Sequence, residues 1–121
     1  MINVDKDQGG NFEGTVAGSG KLNLTSVDVQ QLKLSIAGSG DAKAGQGKAQ
    51  SAQYDIAGSG DVDAGAVQTQ QVKVSIAGSG GVRANATATA DVDIMGSGDV
   101  NITGGAKCTV NKAGSGNVHC S

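Results

Sequence analysis

Two carboxylates in this 121-residue chain are spaced as a pair that could do acid–base chemistry. Asp55 and Asp93 occupy the same place in two sequence repeats, with Ser75 at that place in the repeat between them. If the repeats stack as strands, the carboxylates lie about 9–10 Å apart, near the separation used by inverting glycosidases. The chain has one Phe, one Tyr and no Trp to form a platform for sugars. We therefore expect no enzyme, and an enzyme acting on polysaccharides is the weakest alternative.

Two further groups could bind metal or act on substrates. His119, the only His, stands beside Cys120 and could form a base–nucleophile or metal pair, but no neighbouring residue orients it. We expect an outward surface side chain instead. Asp41, Asp61 and Asp99 each follow a glycine-rich turn, and Asp41 with Asp61 could bind a cation. Because Gly81 interrupts this series, we favour carboxylates that cap backbone N–H groups, and we expect no metal and no cofactor.

The two cysteines, Cys108 and Cys120, flank the last glycine-rich turn. Their spacing matches no zinc or redox motif. By the alternation of the sequence both are inward residues on opposite sides of one turn. A disulfide between them would close a loop of about a dozen residues and add up to ~3 kcal/mol. The alternative is a pair of small buried thiols.

A repeated Gly-Ser-Gly sequence positions all these residues. It begins at residues 18, 38, 58, 78, 96 and 114, in steps of 20, 20, 20, 18 and 18 residues. A constant step of this size is typical of a stacked-repeat architecture. We interpret the six copies as structural turns, formed by Gly18, Ser19, Gly20, Gly38, Ser39, Gly40, Gly58, Ser59, Gly60, Gly78, Ser79, Gly80, Gly96, Ser97, Gly98, Gly114, Ser115 and Gly116.

Apolar and polar residues alternate on both sides of each turn, which indicates strands with one buried face. The pattern predicts an all-β fold, a right-handed parallel β-helix of about six 18–20-residue coils. Residues 1–121 would form one domain, with residues 1–11 as a leading strand and turn and residues 12–121 as the repeats. We expect two inward columns, one of Val16, Ile36, Ile56, Ile76 and Ile94, the other of Leu34, Tyr54, Val74, Val92 and Val110.

Tyr54 is unusual among these inward residues, because its hydroxyl needs a partner or must reach the surface. On the outer side, Lys43, Asp63 and Arg83 occupy one repeat position and should lie side by side in successive coils.

The net charge and the composition argue against some classes of binding partner. The net charge of −2 and the pI of about 5.1 argue against nucleic acid and against anionic membrane surfaces. No segment is apolar for the length of a membrane-spanning helix. The N-terminus lacks a basic stretch followed by an apolar one, so no signal peptide is predicted within this chain.

The strand followed by Ala-Gly-Ser-Gly-Asp-Val, as in residues 55–62, resembles the head GIN domain of auto-transporter adhesins (DUF2807). The resemblance covers residues 12–121. It implies a bacterial protein of the cell envelope or a secreted one, a parallel β-helix, and a secretion or lipoprotein signal ahead of the domain. It brings no catalytic residues.

We therefore expect a non-enzymatic structural or adhesion module of the bacterial cell envelope, presenting a rigid β-helical surface. Its partner would be a cell-surface protein or a glycan, without membrane insertion, and a homo-oligomer stays open. The alternative is a scaffold that assembles by stacking coils end to end, since a β-solenoid leaves unpaired strand edges at its ends. Lys112, at an otherwise apolar inward position, would oppose such stacking.

Overall fold

A computed structural model describes the backbone of residues 2–4 and 7–120 and the side chains of residues 10–120. Every regular element in these ranges is a β-strand. The strands are β1 Ile2–Val4, β2 Asp7–Gly18, β3 Lys21–Leu24, β4 Val27–Gly38, β5 Asp41–Ala44, β6 Gly47–Gly58, β7 Asp61–Gly78, β8 Gly81–Gly96, β9 Asp99–Thr103, β10 Lys107–Ala113 and β11 Asn117–Cys120.

The strands form a parallel β-solenoid, which confirms the predicted fold class. Each long strand pairs with the strand one repeat later, so that β2, β4, β6 and β7 lie in order. The short strands β1, β3 and β5 form a second series, which continues into the first residues of β7. β1 and the first residues of β2 belong to the leading segment of residues 1–11, and both strands pair with the coil that follows. Residues 1, 5 and 6 of this segment lie outside the described backbone.

Each coil has three walls, which we number by the residues of the second coil. Residues 27–29 form wall 1, residues 32–38 form wall 2 and residues 41–44 form wall 3. Within β4 the alternation of buried and exposed side chains is broken at Gln30 and Gln31, both of which are exposed. The paired register skips Gln30 and Gln50 at the same place. The chain therefore turns a corner there without leaving the strand.

The core is a narrow stack of aliphatic columns inside the walls. Ile36, Ile56, Ile76 and Ile94 align in register with Val16, and all five are 3% exposed or less. The second predicted column is also in register, from Leu34 through Tyr54, Val74 and Val92 to Val110. The first column is confirmed, and so is the second as far as Val92, but Val110 in the last coil is 38% exposed instead of buried.

Tyr54 differs from the expectation for its hydroxyl. The side chain is completely buried, and its oxygen has neither a hydrogen-bond partner nor access to the surface. Besides Ile56 and Val62, the same coil buries Ala49, Ala52 and Ala64. These small side chains leave room for the ring, so packing volume places Tyr54 inside even though its hydroxyl stays unpaired.

Candidate functional site

The Gly-Ser-Gly sequences lie at the corner between walls 2 and 3. In each described copy the first glycine has a positive φ, as in Gly58 at 127°. A Cβ on Gly58 would lie 2.3 Å from the carbonyl oxygen of Gly38, one coil away. The Ser59 N–H donates to that same carbonyl at 3.1 Å. Close backbone stacking therefore occupies this corner, and the serine side chains face outward.

Two of the three aspartates after the corners, Asp41 and Asp61, cap backbone groups. The Oδ1 atom of Asp41 accepts the N–H of Asp61 at 3.3 Å, and that of Asp61 accepts the N–H of Gly81 at 2.9 Å. Asn117 Nδ2 donates to Asp99 Oδ1 at 3.5 Å. These contacts match the capping interpretation of Asp41 and Asp61. No group of three or more His, Cys, Asp or Glu side chains suited to a metal ion occurs in the described part of the chain.

Asp55 and Asp93 lie in one outward column of wall 2, on either side of Ser75. Gln53 Nε2 donates to Asp55 Oδ2, and Asn111 Nδ2 donates to Asp93 Oδ1, both at 3.1 Å. Asp93 is exposed and Asp55 is half-buried. The two carboxylates thus share a face as predicted, but no loop covers them to exclude water.

Beside this column runs a row of outward alanines, which includes Ala37, Ala57 and Ala77 and continues into Met95. Met95 is 66% exposed. The row and the Asp55–Asp93 column line a shallow groove of about 700 Å³. The lining of this groove is mostly apolar.

The last coil carries the two cysteines. Cys108 aligns with the inward Ala90 and Cys120 with the inward Ile102. A disulfide joins them, with their Cα atoms 6.6 Å apart. The bond connects walls 2 and 3 at the C-terminal end of the solenoid.

The other sequence-predicted surface residues lie on wall 3. Lys43, Asp63 and Arg83 are adjacent in register, and His119 follows in the same column after Asn101. His119 is exposed, which is the outward position expected for it.

The sequence analysis did not single out the corner between walls 1 and 2. It consists of the paired polar residues Gln30-Gln31, Gln50-Ser51 and Gln70-Gln71, and we call these six residues the glutamine corner. A hollow of about 670 Å³ lies on its wall 1 side and one of about 450 Å³ on its wall 2 side. The signal was available as two successive polar residues at 20-residue intervals, which interrupt an otherwise strict alternation.

The floor of the wall 1 hollow is an irregularity in the ladder. The β7–β8 register shifts between Ala64 and Gln68 and again between Thr69 and Gln71, where the coil shortens by two residues. The buried Thr69 hydroxyl donates to the carbonyl of Asn85. The Thr87 hydroxyl donates to the carbonyl of Thr69 at 3.2 Å. Bulges of this kind are frequent beside binding sites.

A family model described as "Putative auto-transporter adhesin, head GIN domain" (DUF2807) matches residues 2–106. The chain belongs to this family. The match ends just before β10, so the coil with the disulfide lies beyond the part that the head GIN model covers. No helix in the described residues is long and apolar enough to cross a membrane.

Solved structures of putative adhesins resemble this head GIN chain throughout its length. One from Bacteroides fragilis has a TM-score of 0.93 and 26% identity, and the alignment covers 99% of this chain and 56% of that one. One from Parabacteroides merdae has a TM-score of 0.87 and 25% identity, with coverage of 98% and 52%.

A structure from Parabacteroides distasonis, described as a putative lipid binding protein, has a TM-score of 0.90 and 25% identity, with coverage of 99% and 56%. The chain therefore spans a little over half the length of these solved proteins. No curated protein is significantly similar to it in sequence.

Proposed function

We propose that this chain is a non-enzymatic structural and adhesion module of the bacterial cell envelope, which binds a surface partner through its outer walls. The observation that supports this most is the register of wall 2, which continues without a shift from β2 to β10. β4 and β6 pair residue by residue from Val27 to Gly38, apart from the corner at Gln30. In residues 7–120 the connections between strands are only two or three residues long, too short to wall off a catalytic cleft.

A solenoid with this construction suits adhesion for a physical reason. The walls are held by ladder hydrogen bonds and by a continuous core, so the outward side chains are presented on a fixed lattice with about 4.8 Å between coils. A partner with a periodic surface can then contact several coils at once, and no conformational entropy is lost in ordering a loop. Membership of an adhesin family agrees with this function and with an envelope location.

The proposal can be tested with the fluorescently labelled chain, tetramerised to increase avidity. The experiment measures its binding to intact bacterial and epithelial cells. We expect saturable binding that an excess of unlabelled tetramer removes. Binding equal to that of a heat-unfolded tetramer on every cell type would contradict it. Multivalent display is needed because single contacts between flat polar surfaces are weak.

Binding of an apolar ligand is a second candidate. The alanine row and Met95 give wall 2 an apolar groove, and one structural relative is described as a putative lipid binding protein. Under this alternative, an environment-sensitive fluorescent fatty acid would increase its emission on mixing with the chain, and Met95→Lys would abolish the increase. An unchanged emission with the wild-type chain would remove this candidate.

A further inference from the structure

We propose that the glutamine corner is the binding site of this module and that it takes a linear, uncharged glycan lying along the solenoid axis. This inference rests on the adhesion function proposed above and names the surface and the class of ligand. The side chains of Gln30, Gln50 and Gln70 are exposed in three successive coils between aligned neighbours. They therefore repeat about every 4.8 Å along the axis.

The chemistry of the amide suits a hydroxyl-rich chain. Each glutamine offers two N–H donors and a carbonyl acceptor, and each sugar hydroxyl both donates and accepts. In the described part of the chain, none of the amides of Gln30, Gln31, Gln50, Gln70 and Gln71 has a hydrogen-bond partner within the protein. They are thus available for a ligand, whereas the amide of Gln53 on wall 2 is bonded to Asp55.

The two hollows make the surface concave on both sides of the corner, whereas the walls themselves are flat. The ridge of glutamines stands between hollows of about 670 and 450 Å³. Thr87, at the shortened coil, lines the wall 1 hollow and is held there by its hydrogen bond to the Thr69 carbonyl. A chain of sugar rings can therefore lie in a hollow while the ridge amides reach its hydroxyls.

The charged side chains around the glutamine corner are balanced in sign, which favours an uncharged ligand. On wall 1 Asp28 lies beside Lys48. On wall 2 Glu13 lies beside Lys33, and Lys73 lies beside Asp91. Neighbouring charges of opposite sign leave little net potential over the corner for a polyanion. Nucleic acid would need a basic surface, which this protein of net charge −2 does not provide.

The composition of the corner also argues against a protein partner there. Protein interfaces depend on buried Trp, Tyr, Arg or Met residues, and none of these lines either hollow. Ordering each flexible glutamine lowers the gain from its hydrogen bonds, and no aromatic side chain among the described residues lines either hollow to stack on a sugar ring. One chain should therefore bind weakly, and several copies displayed together should bind tightly.

The test uses the tetramerised 121-residue chain on immobilised mannan, xylan and cello-oligosaccharides, with polygalacturonate as an acidic probe. The variant replaces Gln30, Gln50 and Gln70 by Ala. The matched control replaces Ser39, Ser59 and Ser79 by Ala, which are exposed in the same coils at another corner. Thermal unfolding of all three proteins establishes that each is folded.

We expect at least one neutral glycan to bind the wild type and the serine variant equally. The glutamine variant should bind it about tenfold or more weakly, because three sets of hydrogen bonds are lost together. If the glutamine variant binds that glycan as the wild type does, the site assignment is wrong while the adhesion function stands. Preference for polygalacturonate, or cell binding without any glycan binding, would overturn the ligand class. Absence of binding to both glycans and cells would overturn the proposed function itself.

Discussion

Lys112 lies beside Ile94 in the parallel ladder, at a position where the preceding coils carry a buried isoleucine. Its side chain is exposed at the C-terminal end, where Val110 is also 38% exposed. A second copy stacked there in the same register would place Val16 against Lys112. That contact would bury an unpaired charge, which is costly. Lys112 therefore opposes the end-to-end assembly considered as an alternative function.

Replacing Lys112 by Ile should convert the end into a continuous apolar column and cause concentration-dependent association. Light scattering after size exclusion measures this directly. The wild type should be a monomer or a small oligomer, and K112I should form larger species. Thr109→Ile places the same side chain on the outward face of β10 and is the control. Long polymers of the wild type, or equal association of both variants, would count against this account.

Tyr54 should make the fold sensitive to alkali. Burial raises the pKa of Tyr54 above its ordinary value near 10. The unfolded state then releases this proton first, so the stability that it contributes is complete below about pH 10 and falls as pH rises above that value. The loss approaches about 1.4 kcal/mol per pH unit. Because Tyr54 is the only Tyr, its phenolate absorbance should appear only together with unfolding.

The Tyr54→Phe variant is the control for this effect. It removes the hydroxyl that has no partner, and we expect it to be about 1 kcal/mol more stable at neutral pH. It should also lose the excess alkaline sensitivity of the wild type in urea unfolding followed by circular dichroism. A phenolate signal in the folded protein near pH 10 would show that the hydroxyl reaches water.

The corner glycines should be unequal in their tolerance of a side chain. Gly58 has a positive φ, and a Cβ on it would meet the Gly38 carbonyl oxygen at 2.3 Å. We expect Gly58→Ala to cost about 1–3 kcal/mol of unfolding free energy. A Cβ on Gly65 would meet nothing closer than 4.0 Å, so Gly65→Ala should stay within about 0.5 kcal/mol of wild type. Equal losses in chemical denaturation would refute the close stacking of the corners.

The disulfide should stabilise the last coil in particular. A thiol assay should find no free thiol before reduction and both Cys108 and Cys120 after it. Replacing both by Ala should lower stability by up to about 3 kcal/mol, since the bond closes a short loop. Hydrogen exchange should then increase in β10 and β11 while β4 and β6 stay protected. Free thiols in protein purified without reductant would refute the bond.

Strict alternation and the spacing of Gly-Ser-Gly were sufficient to predict the solenoid, because a two-residue period fixes which side chains point inward. The column from Val16 to Ile94 followed directly from that register. The place of the Tyr54 hydroxyl could not be predicted, because it depends on the volume left by alanines on other walls. The glutamine corner was not predicted as a site either, because the exposure of both polar residues depends on a bend within a continuous strand.

The proposed function is binding of a surface without chemical change to that surface. For the most direct test, the chain is incubated with the glycan or cell-wall preparation that retains it. The amount of bound protein and the amount of newly released reducing ends are then both measured. We predict retention with no release, unchanged in Asp55→Asn and Asp93→Asn variants. Release of reducing ends by the wild type, and its loss in either variant, would contradict the account and show that the paired carboxylates of wall 2 are catalytic.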